Sequence, residues 1–363
     1  MALYDFVLCR SSGEPVGQFL TARARGLSLL LNGVHSASVT VPLGDPVARD
    51  VAPGLSRLKV WRNPAPEQIA KDPSTGRVLV FYGSLPAVGV DEQAAAETMA
   101  LTFEDPRWVL ARRFTLGTEV YTATDRGQIL WGLIATQNAR PGGDTWIRQG
   151  STVTGVAADR AFDRRQVSGV FAEMTRLIDG PDLDVTPIDG YETGLGRVMG
   201  NLQVVARQGV TRPAAVFNYG TQIGSNIRDV KRTYRDVTTL ATVTGTGPAG
   251  QPLTDTYGSP SSSEHGLLEE YVADPDGTNL SYVQFRARGI VLAQQTPRPI
   301  VQLTGPTPGA PRPFEDYALG DTVTVNARKG SMVIMDARLR VHAINLTLDQ
   351  TGTETVSLTT AEV

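Results

Sequence analysis

The sequence predicts a mainly β chain with α+β parts: two related β-modules, a small α/β unit between them, and a helical insert in the second module. Three observations carry this reading. Short runs rich in β-branched and aromatic residues, broken by Gly, Pro, Asn and Asp, fill both ends of the chain. Helical spacing takes over after Thr118. A six-residue echo links the two ends, ETMALT at positions 97–102 and ETVSLT at 354–359.

Taken in order, LSLLLNG, HSASVTVPLG, LKVWRN, RVLVFYGSL and ETMALTFED make residues 1–118 an all-β module, with the polar stretch NPAPEQIAKDPSTG expected as a protruding hairpin loop. Residues 119–195 form the α/β unit. Asp125 caps a helix whose Ile129, Leu130, Leu133 and Ile134 share one face. A second helix follows Asp163, with Val167, Val170, Phe171, Met174, Leu177 and Ile178 at helical spacing and Gly180 as its C-cap. DLDVTPI then reads as a strand. Strands NLQVVARQG, RPAAVFNYG and the charge-interrupted run SNIRDVKRTYRDVTTLATVTG open the second β-module, residues 196–250 and 300–363. Its insert, residues 251–299, combines a loop, the Gly/Pro/Ser-rich 245–263, with a helix over 279–295.

Each copy of the echo follows an apolar strand ending in Asp, Asp91 or Asp349, and an upstream strand pair: LKVWRN and RVLVFYG in one, DTVTVNA and SMVIMDA in the other. The shared phase makes Met99 and Leu101 the counterparts of Val356 and Leu358. Hairpins resemble one another and six residues can coincide; agreement in strand order and turn placement favours a duplicated module.

The 363 residues are 41% hydrophobic and 20% charged, a globular composition able to fill several domains. A net charge of -3 excludes a basic stripe for gripping nucleic acid. Only Lys59, Lys71, Lys231 and Lys329 are lysines among the 34 basic residues, so 30 are arginines. Genomic base composition or bidentate interface contacts would each produce that skew. The single cysteine, Cys9, excludes intrachain disulfides and thiolate clusters, leaving an intermolecular bridge or, better, a core-strand position. No signal-peptide pattern and no apolar run of about 18 residues occurs, so cytoplasmic synthesis and no stable membrane insertion are expected.

No constellation nominates a catalytic, cofactor-binding or metal-binding residue. GTGPAG at 245–250 fits the dinucleotide fingerprint formally, but no helix follows it. DPDGTN at 274–279 opens like a calcium loop, yet Phe285 stands where the closing glutamate belongs. Asp182 and Asp184 share a strand face and read as solvated turn charge. His35, His265 and His342 are too scattered for a ligand motif, and neither HExxH nor GxSxG occurs. The sequons at Asn279 and Asn345 matter only in a secreted eukaryotic protein.

The path GLSLLLNGVHSASVTVPLG, VWRN, VLVFYGSL, ETMALTFEDPRWVLARR resembles the N-terminal barrel of the tail hub proteins of long-tailed bacteriophages, also called baseplate hub or minor tail proteins. The ending YALGDTVTVNARKGSMVIMDARLRVHAINLTLDQTGTETVSLT is similar to that family's closing pattern, and NLQVVARQGVTRPAAVFNYGTQIGSNI looks like versions from phages of actinobacteria. The resemblance spans nearly the whole chain, through motifs of low individual specificity. It implies two β-barrel domains per subunit in a homotrimeric ring, located in the virion at the tail tip after assembly in the host cytoplasm. It further implies docking onto a hexameric tail tube or distal tail protein, contact with other tail-tip proteins and the tape measure protein, and DNA only in transit. Two modules in three subunits give six near-equivalent positions, which matches a sixfold tube. The chain stops at Val363, so any hydrolase or host-binding part is expected on another polypeptide, and no cofactor is expected.

Two other classes remain. A two-domain glycan or peptide hydrolase would show a concave carboxylate cluster. A carbohydrate-binding β-sandwich adhesion protein would show more exposed aromatics than 4 Trp and 10 Tyr provide. For a DNA conduit, acidic turns at Asp91, Glu92, Glu97, Asp349 and Glu354 could face the lumen or the outer rim; an acidic or neutral wall lets a polyanion slide.

Overall fold

The computed structural model describes residues 3–64, 76–86, 90–93, 97–177, 179–220, 224–234, 236–247, 250–260, 263–274, 280–295, 299–306 and 309–362. The expected 63–76 hairpin loop lies mostly outside them, as does Asn279.

The N-terminal strands are β1 (Tyr4–Cys9), β2 (Pro15–Gln18), β3 (Ala24–Leu30), β4 (Ser36–Pro42), β5 (Arg57–Arg62), β6 (Val78–Ser84), β7 (Val90–Gln93) and β8 (Thr98–Glu104). Period-2 patterning sets their faces: Ala37, Val39 and Val41 of β4 point into the core, while Ser38 stands out to solvent. The apolar segment expected to run unbroken to Asp91 is interrupted, so β6 and β7 are separate strands, and both pair with β8.

Next come β9 (Thr118–Asp125), α1 (Arg126–Asn138), β10 (Ile147–Gln149), β11 (Ala157–Asp163), α2 (Val167–Thr175), β12 (Asp182–Pro187) and β13 (Gly200–Val205). Asp125 caps α1 by accepting from Gly127 N at 2.8 Å, and Ile129, Leu130, Leu133 and Ile134 are all fully buried. Helix α2 ends before the expected Gly180 cap; its N-cap is Gln166, and Leu177 turns away into a different core. Strand β13, expected with the second module, pairs parallel with β10 and antiparallel with β12. Its Leu202 and Val204 close the α/β core.

The rest comprises β14 (Thr211–Tyr219), β15 (Ile227–Tyr234), β16 (Leu240–Thr246), β17 (Pro252–Gly258), β18 (Glu269–Ala273), α3 (Leu280–Gln294), β19 (Pro299–Pro306), β20 (Thr322–Lys329), β21 (Met332–Leu348) and β22 (Glu354–Glu362). Residues 240–258, read largely as run-on strand and loop, are instead the hairpin β16–β17. With β18 it makes a separate three-stranded sheet in the order β17-β16-β18, covered by α3. Outward threonines bond across it, Thr242 with Thr256 at 3.0 Å and Thr244 with Thr254 at 3.1 Å.

Strands of both end modules form one fourteen-stranded sheet, joined where β21 pairs with β3. Among the described residues no ladder closes this sheet on itself, so the expected two barrels are two arms of an open, shared sheet over one core. The two echo strands occupy like positions in their arms. Leu101 of β8 lies between Val39 of β4 and Val90 of β7; Leu358 of β22 lies between Leu303 of β19 and Ile344 of β21. Leu101, Val356 and Leu358 are buried and Met99 is half-buried, as the echo predicts.

Candidate functional site

The most concentrated polar chemistry sits at the junctions between parts. Asp182 and Asp184, two apart on β12, point the same way, and the structure corrects their reading as solvated charge. Asp182 receives the Arg340 guanidinium of β21 through Nη1, at 3.2 Å, and Nη2, and accepts Gln208 N at 2.6 Å. Asp184 accepts from His35 Nε2 at 2.6 Å, with Arg107 Nη2 at 3.7 Å. Burial pushes the Asp184 carboxyl up, but the His35 hydrogen bond, the Arg107 charge and the Gln208 amide outweigh it and hold it well below the usual carboxylate range. One strand of the α/β unit thus fastens both β-arms.

A second fastener is Lys59 of β5, buried against Asp189 at 2.5 Å and Gly13 O at 2.9 Å, between the rings of Tyr82 and Tyr191. Beside it Arg57 donates to Arg197 O at 2.9 Å and lies over Trp146. A third joins the two arms directly: Arg62 pairs with Glu315 and donates to Tyr4 Oη at 2.5 Å, while Tyr4 donates to Glu354 at 3.1 Å. Burial raises the Glu354 carboxyl despite the Arg62 charge opposing it. At the insert, Tyr282 donates to Glu173 of α2 at 2.5 Å, and Arg286 pairs with Asp274 at 2.9 Å.

These groups are committed to one another. Both His35 nitrogens are engaged, Nδ1 accepting Leu30 N at 3.1 Å, so the ring has no nitrogen left for a substrate. The buried Cys9 thiol is pushed up to about 11 by burial, unlike a reactive nucleophile. His265 is exposed on an insert loop and His342 lies in β21, both far along the chain from His35. Among the described residues no group of three His, Cys, Asp or Glu side chains is placed to hold a metal ion, and no helix is long and apolar enough to cross a membrane.

The acidic turns divide. Asp91 and Glu97 are exposed, and the Glu92 side chain lies outside the described set. Asp349 caps its own turn, accepting from Thr351 N at 2.8 Å and Thr353 N at 2.9 Å. Glu354 belongs to the arm-joining cluster instead of a rim.

No family model matches the chain, and no curated protein matches it by sequence. Its fold does match solved structures end to end. The 43 kDa tail protein of prophage MuSo2 from Shewanella oneidensis superposes with a TM-score of 0.60 at 11% identity, over 99% of this chain and 98% of that one. The tail protein from Neisseria meningitidis MC58 gives 0.57 at 12% identity, over 99% and 96%. The fold is that of phage tail proteins. The tail-protein fold also appears in prophage tail protein gp18 from Listeria monocytogenes, at 0.52 and 11% identity over 98% and 94%. A chain of a Francisella PdpA–VgrG complex shares it at 0.53 and 7% identity, over 99% of this chain but 52% of that one.

Sequence reasoning nominated no site residue and missed every fastener. Only the i, i+2 spacing of Asp182 and Asp184 was a visible signal; Arg340, His35 and Lys59 sit more than 100 positions from their partners.

Proposed function

We propose that this chain is a structural phage tail protein of the hub type, a homotrimeric adaptor at the tail tip that joins a hexameric tube or distal tail ring to more distal proteins. The observation that carries the reading is the fold match over 96–98% of the length of two tail proteins at once, so that every part of this chain has a counterpart there. The correspondence of Leu101 with Leu358 supports it, because two alike arms in each of three subunits offer six similar docking positions. Residues 1–118 supply one position and the strands within 206–234 and 299–362 the other, with the α/β unit and insert as peripheral braces. Fasteners made of engaged ion pairs suit a rigid adaptor and offer no group for hydrolysis. In this reading DNA and the tape measure protein pass through the ring without being held.

Native mass spectrometry of the purified chain, followed by electron microscopy with its tube protein, tests the proposal. Three copies in a ring with pseudo-sixfold density on one face are expected. A monomer at all concentrations that also fails to dock on the tube overturns it.

A further inference from the structure

We infer that the insert carries a saccharide-binding groove between β17 and α3. Its main cleft encloses about 660 Å³, within the range of small-molecule sites. A smaller cleft of about 350 Å³ adjoins it, and Tyr257 lines both.

The groove is built rather than incidental. Gly258, at φ +138°, ends β17 where a Cβ would clash with the Thr239 carbonyl, so the chain leaves the sheet there. The returning segment is tied down by one residue: Thr239 Oγ1 accepts Leu268 N at 2.8 Å and donates to Gly266 O at 2.8 Å, while Thr239 N donates to Leu268 O at 2.8 Å. His265 N bonds Ser263 Oγ at 3.2 Å, which sets Glu264 and His265 on the rim. The buried Val291 of α3 lines the cleft with Gln295 just beyond the helix end.

The lining selects the ligand class by chemistry. Among the described residues no Lys or Arg borders the main cleft and Glu264 does, which disfavours phosphate, nucleotides and acidic peptides there. Val291 is its only aliphatic side chain among the described residues, too little apolar surface for a lipid or steroid. What remains is a carboxylate, an imidazole, an amide and several hydroxyls lining the cleft together with Tyr257, which is 37% exposed. That mixture of donors and acceptors beside an aromatic ring suits the alternating hydroxyls and C–H faces of a sugar. The adjoining cleft sets another aromatic ring, Phe285, beside the amide of Gln284 and the opposite charges of Asp255 and Arg288, so the groove fits a chain of at least two units with Tyr257 common to both sites. This inference does not depend on the tail-tip assembly.

Saturation-transfer NMR on the full chain tests it, with trisaccharides of N-acetylglucosamine, glucose, galactose, mannose and arabinose as probes. Transfer to at least one trisaccharide is expected, weakened about tenfold in affinity by Tyr257→Ala and by His265→Ala. Tyr271→Ala, which removes a 67% exposed ring from the opposite face of the same sheet, should leave binding intact. Unchanged thermal melts keep the variants comparable. No transfer to any of the five overturns the inference, as does binding that survives Tyr257→Ala or is lost equally in Tyr271→Ala.

Discussion

Replacing Asp182 with alanine tests whether β12 truly fastens the second arm. The Asp182 and Arg340 side chains are 8% and 12% exposed, so this is a buried pair, and removing one member of such a pair costs about 3–5 kcal/mol. Arg340 keeps the carbonyls of Gly320, at 3.0 Å, and Gln208, at 2.8 Å, which leaves the guanidinium partly compensated and points to the lower end. The Gln208 backbone N–H also loses its 2.6 Å acceptor, a deficit of about 1–3 kcal/mol in its own right. Together these place Asp182→Ala at about 3–5 kcal/mol, read from urea midpoints followed by tryptophan fluorescence with the slope m unchanged. Asp182→Asn, which keeps an acceptor oxygen, should lose about 1 kcal/mol. The double variant Asp182→Leu with Arg340→Met should recover more than half of the alanine loss, since no charge is then left buried. An alanine variant within about 1 kcal/mol of the parent, or a double variant as damaged as the single one, refutes the reasoning.

Acid behaviour should follow Asp184: a carboxyl held below its ordinary value of about 3.9 contributes stability that is present above that pH and lost as pH falls through the folded value. Melts from pH 6 to pH 2 should therefore steepen below about pH 4 in the parent and flatten in Asp184→Asn. Glu354 has the opposite sign, because its raised carboxyl makes ionisation unfavourable in the fold, so Glu354→Gln should melt no lower than the parent at pH 7. Leu101→Ala and Leu358→Ala, fully buried at corresponding positions, should each cost about 3 kcal/mol by the same urea assay, and a threefold difference between them would count against equivalence. Fluorescence anisotropy with duplex DNA at 0.15 M salt should show binding weaker than the roughly 1–100 µM of ordinary non-specific DNA binders.

Where chemistry is local, the sequence was readable. The cap at Asp125 and the Ile129, Leu130, Leu133 and Ile134 face need only neighbours within a turn, and the β8 and β22 phases need only alternation. Strand β17 was hidden because PLTDTYG sits in a Gly/Pro/Ser-rich stretch whose turn residues outweigh its alternating threonines; its pairing with β16 supplies what propensity lacks. Extra length at α2 was inferred from Leu177, whose apolar side chain serves the insert core instead of the helix face. The fasteners were invisible for a different reason. A carboxylate on a strand looks solvated until its partner is known, and Asp189 meets Lys59 from 130 positions away.

The pairing of β21 with β3 sets a timetable for the chain's birth. Leu27 and Leu29 of β3 sit beside Leu346 and Ile344, which are made about 300 residues later. At about 5–20 residues per second, the roughly 300 residues between Leu30 and Ala343 take on the order of 15–60 s to synthesise. Throughout that interval β3 is an unpaired apolar edge, open to a neighbouring nascent chain on the same messenger. Fragments that end before Met332 should therefore aggregate, and chaperone occupancy on the ribosome should persist until β21 emerges.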